Sequence, residues 1–146
     1  MTTAIDSSVI WAILKKEKGC EGWLKVLFKA AEEGPLLLCS VSFAELAPTT
    51  SNAAELCHFL DTLTVKYSPL VPDAAHLAGT MFKRYRQAGG PREHLVPDFL
   101  IAAHASIQAD RLAAIDRGYL RRWFPELTLL TPGPLNQEFG SNGPGN

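Results

Sequence analysis

The chain has 146 residues, is 47% apolar and 20% charged, and carries a net charge of −1. These values indicate one globular domain of ordinary size and exclude a general electrostatic pull toward nucleic acid or anionic membrane, so any polynucleotide contact must come from a local patch. No apolar run is long enough to span a bilayer, "MTTAIDSS" lacks the pattern of a secretory signal, and Cys20, Cys39 and Cys57 have no metal-like spacing, so a reducing cytoplasm is the expected location.

In chain order, "TTAI" is a β-prone run. After Asp6, Ser7 and Ser8, the spacing of Val9, Ile10, Ile13 and Leu14 predicts a helix that a Ser can cap. Cys20, Trp23, Leu24, Leu27, Phe28 and Ala31 form the apolar stripe of a second helix, ended by Gly34 and Pro35. "LLLCS" has the length and apolarity of a strand covered on both faces. "SFAELA" opens a helix, and Asn52 with Glu55 resembles a capping box before another. "LTVKYSPL" reads as extended. Asp73 is expected to start a long amphipathic helix with Ala74, Leu77, Ala78, Met81, Phe82 and Tyr85 on one face, stopped at Gly89 and Gly90. A helix from Pro97, a strand "RLAAID", a short helix "YLRRWF" and a strand "LTLLT" complete the domain. Strands alternating with helices indicate an α/β sandwich with a mostly parallel central sheet flanked by helices. Residues 1–132 form the expected domain. Residues 133–146, rich in Gly, Pro and Asn, are expected to be a disordered tail.

The stretch "VPDFLIAAHA" places an acid in an apolar helix start. Pro97 suits the first turn, and Asp98 there complements the helix dipole. Asp98, Ile101, Ala102 and Ala105 share one face, so Asp98 is expected to look inward, where a carboxylate requires compensation. No Lys or Arg follows within a turn. Ligands of open α/β sheets bind beyond the carboxyl ends of the strands. Asp6 and Asp116 follow strands, and Glu45 lies one turn into the helix after "LLLCS". With Asp98 they map to one edge of the expected sheet. Singly, each has a bland explanation: Asp6 as a helix cap, Asp116 as a turn residue, Glu45 as a surface residue. Together they repel, at about 4 kcal/mol per pair for a separation near 4 Å and an effective dielectric near 20. A divalent cation, Mg²⁺ or Mn²⁺ rather than zinc, would relieve that repulsion. Such a site suits phosphate-ester chemistry. Arg117, Arg121 and Arg122 stand where flanking phosphates would be held, and Lys83, Arg84, Arg86 and Arg92 form a second, weaker patch. Glu17, Glu32, Glu33 and Asp110 read as solvated acids.

The segments "AIDSSVI", "SFAEL", "PDFLIAAHA" and "LAAIDRGYLRRWFPELTLLTP" resemble the PIN-domain family. In length and endings they resemble the VapC-type toxin ribonucleases of type II toxin–antitoxin modules, over about residues 3–132. The resemblance implies a Mg²⁺- or Mn²⁺-dependent endoribonuclease that cuts single-stranded regions of structured RNA. It places the acidic quartet on Asp6, Glu45, Asp98 and Asp116, with Asp6 and Asp98 as central metal ligands and Ser8 as support. Ala114 stands where the family often has Thr or Ser, which removes a supporting hydroxyl near Asp116. The resemblance also implies a cognate antitoxin, a homodimer and no membrane. The stripes around Trp23 and Phe28, and around Leu56 and Leu60, are candidates for partner surface or for core.

Two other phosphate-handling folds fit less well. A haloacid-dehalogenase-type phosphatase needs an acid where Ser8 stands, and a receiver domain needs one after the middle strand. A non-catalytic PIN scaffold that binds RNA or a protein is the alternative from a different functional class. Metal dependence separates it from a nuclease.

Overall fold

The computed structural model describes residues 1–90, 96–115 and 118–133. Its elements follow the expected alternation: β1 (Thr3–Ile5), α1 (Ser7–Leu14), α2 (Cys20–Glu33), β2 (Leu36–Cys39), α3 (Ser40–Leu46), α4 (Ala53–Thr62), β3 (Val65–Ser68), α5 (Pro72–Gln87), α6 (Val96–Gln108), β4 (Arg111–Ala113), α7 (Tyr119–Trp123) and β5 (Thr128–Leu130). The five strands form one sheet in the order β3-β2-β1-β4-β5. Every neighbouring pair is parallel. β1 is therefore central, with Ala4 opposite Leu37 on one side and Leu112 on the other. All carboxyl ends of the strands share one edge.

The alternation of side chains along the strands divides the core in two. Ile5, Leu36, Leu38 and Val65 point to one face, where Val9, Ile10, Trp23, Leu27, Leu46, Leu56 and Leu60 cover them. Ala4, Cys39, Leu112 and Ala114 belong to the other, with Phe99, Ile101, Ala102, Leu120 and Phe124. Burial on both faces explains why the strands are continuous apolar runs. α5 and α6 pack side by side on the second face.

Local chemistry explains most boundaries. The Asn52 side chain accepts the Glu55 N–H at 2.8 Å and Glu55 Oε2 accepts the Ser51 N–H at 3.0 Å, so both ends of the motif satisfy donors at the start of α4. α2 ends at Gly34, where the Met1 backbone passes too close for a Cβ.

Several expectations need correction. α1 is capped by Asp6, not by a Ser. α5 starts one residue before Asp73, because Pro72 takes the first helical position. Phe28 is 56% exposed, since the stripe of α2 is centred on Trp23, Leu27 and Ala30. Trp23, Leu56 and Leu60 are core residues and cannot serve as partner surface. Cys57 is exposed. Asp110 is exposed but engaged: it accepts the Thr2 N–H at 2.6 Å, and its own N–H donates to the Thr2 carbonyl. Glu33 pairs with Arg111 at 2.8 Å. The expected tail beyond Gly133 lies outside the described residues. Among the described residues, no helix is long and apolar enough to cross a membrane.

Candidate active site

The site is built around the turn from β1 to α1. The Asp6 N–H donates to the Ala113 carbonyl at 2.9 Å, which fixes the end of β1 against the end of β4. Asp6 keeps extended dihedrals and caps α1: its Oδ2 accepts the Ser8 N–H at 3.3 Å and also the Ser8 hydroxyl. The bland and the functional readings of Asp6 are thus compatible, because the bonds that cap the helix also orient the carboxylate at the carboxyl edge of the sheet.

Glu45 lies in the last turn of α3 and is exposed. Its Oε1 accepts the Ser7 hydroxyl at 2.9 Å, which joins the third helix to the β1–α1 turn. Sequence reasoning missed Ser7. The signal was present in the doubled Ser of "DSS", but periodicity does not say which hydroxyl turns back to the cap and which turns outward.

Asp98 is half-buried in the first turn of α6. The next residue, Phe99, is fully buried and sets the position of that turn. Its ring lies 5.8 Å from Phe82, 5.5 Å from Tyr85 and 5.4 Å from Phe124, in edge-to-face or tilted contacts. α6 also packs against α3 and β1, the elements that carry or precede Glu45 and Asp6. Asp116 and Arg117 lie outside the described residues. Among the described residues, no group of three or more His, Cys, Asp and Glu side chains could hold a metal ion. Asp6, Glu45 and Asp98 therefore do not make a metal site by themselves.

The basic candidates differ in character. Arg121 and Arg122 are exposed on α7, and the Arg122 guanidinium lies over the Trp123 ring at 4.9 Å. Lys83, Arg84 and Arg86 are exposed on α5. Arg92 lies outside the described residues.

Two buried groups lie close to these elements. Burial pushes the Cys39 thiol above its usual pKa. His104 on α6 is fully buried, with Nε2 2.9 Å from the Ser68 hydroxyl and no partner at Nδ1. Burial lowers its pKa to about 4, so the ring is neutral at pH 7.

No family model matches the chain, and no curated protein does. Solved structures do. A chain of the VapBC2 complex of Rickettsia felis, bound to a DNA fragment from its promoter, superposes with a TM-score of 0.69 at 18% identity, over 90% of this chain and 98% of that one. A chain of VapBC-1 from nontypeable Haemophilus influenzae gives 0.63 at 17% identity, over 90% and 98%. A chain of FitAcB from Neisseria gonorrhoeae gives 0.63 at 19% identity, over 89% and 97%. The fold is PIN-like. The PIN-like match runs nearly end to end in both partners, so the α/β sandwich with its central parallel sheet, expected from the sequence, is the observed architecture.

Proposed function

We propose that the chain is a Mg²⁺- or Mn²⁺-dependent endoribonuclease, a hydrolase of phosphodiester bonds that cuts structured RNA such as tRNA or rRNA at single-stranded regions, and that it is the toxin of a toxin–antitoxin pair. The observation that carries this reading is the placement of two acids at the carboxyl edge of the sheet, Asp6 bonded by the Ser8 hydroxyl and Glu45 by the Ser7 hydroxyl, in a fold matched along nine-tenths of its length by chains of VapBC complexes.

The residues fit a hard cation. Asp6, Glu45, Asp98 and Asp116 would hold it, and every donor in that set is a carboxylate oxygen, with no thiolate or imidazole. The reading requires Asp116 as the fourth acid, because the three described ones do not suffice. When bound, the ion neutralises the carboxylates and polarises the phosphodiester. The chain supplies the rest. Ser8 orients Asp6, Ser7 orients Glu45, and the aromatic packing of Phe99 holds the first turn of α6. Arg117, Arg121 and Arg122 hold the phosphates that flank the scissile bond. A cognate antitoxin blocks the same edge with a basic side chain, which makes charge-assisted bonds to the acids. The active form is a cytoplasmic homodimer.

The test is cleavage of total RNA by purified protein freed of antitoxin, with Mg²⁺ or Mn²⁺, with chelator, and as the Asp98→Asn variant. Discrete fragments that require both the ion and Asp98 are expected. Folded protein without metal-dependent cleavage would replace this reading with the non-catalytic scaffold.

A further inference from the structure

α1 carries more than the cap of Asp6. Ser7 and Trp11 are four residues apart and Lys15 follows four later, so they rise along one face of the helix and its last turn, over about 12 Å. At the start of that line Ser7 holds Glu45. In the middle, Trp11 packs against the core and stays partly accessible. At the end, the exposed Lys15 places its ammonium 5.3 Å from the Trp11 ring centre. The chain then turns through Lys16, which adopts φ 51. A left-handed conformation is unfavourable for a residue with a Cβ. The exposed Lys16 and Lys18 follow at the rim of a cleft of about 500 Å³, which also includes Glu17, Glu21, Trp23 and Pro132.

Indole next to exposed ammonium groups is the combination that holds single-stranded polynucleotide. Aromatic faces stack bases without regard to sequence, and lysines neutralise the backbone. The net charge of the chain is −1, so attraction for a polyanion has to be concentrated locally. We infer that the outer face of α1, from Ser7 through Trp11 to the Lys15–Lys16–Lys18 corner, is the track on which the RNA strand lies as it leaves the acidic edge. Trp11 stacks one base and the lysines bind the phosphates beyond it. On binding, the Lys15 ammonium moves from the indole face to a phosphate and the base takes its place. This inference rests on the ribonuclease reading and adds to it a strand direction and a set of positioning residues.

The test measures binding of a fluorescent 12-nucleotide oligouridylate in Mg²⁺ over a range of salt, in an Asp98→Asn background that keeps the strand uncut. Replacing Lys15, Lys16 and Lys18 together by Gln is expected to weaken binding at least about tenfold. It should also flatten the dependence of log K on log salt by about 2, as three lost contacts on a single strand require. Trp11→Leu is expected to cost about tenfold, with Trp11→Phe intermediate because a smaller ring still stacks. The lysines are exposed, so their variant keeps the arrangement testable if the Trp11 variants unfold. Affinity within twofold of the parent and an unchanged salt slope, in protein whose Asp98-intact form still cuts total RNA, would overturn the track and leave the nuclease standing. If the parent neither binds nor cuts RNA, both readings fall.

Discussion

The Ser7 hydroxyl donates to Glu45 Oε1 at 2.9 Å, across 38 positions of sequence. This bond links the first turn of α1 to the last turn of α3, and it holds the one candidate acid that is exposed among the described residues. Ser7→Ala should lower the cleavage rate by about tenfold by removing a bond that orients Glu45, while stability to urea changes by no more than about 1 kcal/mol, the usual net worth of such a bond. Unaltered cleavage by the variant would mean that the Ser7 hydroxyl does not orient Glu45 for the reaction.

Asp98→Asn should abolish cleavage with a melting temperature within a few degrees of the parent. Asn is nearly isosteric and tolerates the first helical turn, so packing around Phe99 should persist. Collapse of the melting transition would assign Asp98 to stability instead.

Phe99→Ala should destabilise the fold by about 3–5 kcal/mol, the range for truncating a fully buried aromatic residue. Its ring contacts join α5, α6 and the segment after α7. Cleavage per folded molecule should fall as well, because the turn that carries Asp98 loses its support. Urea titration followed by assay under fully folding conditions separates the two effects.

Stability should depend on pH through His104. Its pKa is near 6.5 in the unfolded chain and about 4 in the folded one. Between these values the unfolded state binds the extra proton. Stability from this residue is thus fully present above pH 6.5 and is lost as pH falls toward 4, by about 3 kcal/mol in total. Urea midpoints measured at pH 7 and pH 4.5 should show the loss, and a Ser68→Ala/His104→Leu double variant should show less of it. Equal losses in both proteins would place the acid sensitivity elsewhere.

Arg122 should contribute to folding as well as to RNA binding. Arg122 is engaged with the face of Trp123, so its removal costs packing as well as charge. Arg121→Ala and Arg122→Ala should each reduce the salt slope of RNA binding by about 0.7 if that side chain meets a phosphate, and Arg122→Ala should also lower the melting temperature.

Much of the architecture was legible because the relevant forces are local or periodic. The stripe of α5, the Asn52–Glu55 cap and the continuous apolarity of β2 each depend on residues a few positions apart. What escaped reading depends on contacts between distant segments. Phe28 lies on the same apolar arc as Leu24 and Leu27, but periodicity gives the direction of a helix face and not the width of what covers it. Asp110 has polar surroundings in the sequence and is indeed exposed, yet it accepts a backbone N–H from Thr2, 108 positions away. The acids Asp6, Glu45 and Asp98 stand out as candidates from their positions after strands and inside apolar helix starts. The hydroxyl that orients Glu45 was not, because no spacing rule joins α1 to α3.

The amide of Asp6 lies at the end of the central strand and is bonded to Ala113. A group in that position exchanges its proton with solvent only when the middle of the sheet opens, which is among the rarest excursions of a folded domain. At the α1–α2 corner the exposed lysines lie on a local turn, where the Lys15, Lys16 and Glu17 amides donate to carbonyls of α1 itself and can open by fraying of that helix end. The backbone that carries Asp6 therefore has almost no local freedom while the basic corner can open locally, and hydrogen exchange should report the two amide sets at opposite ends of its scale.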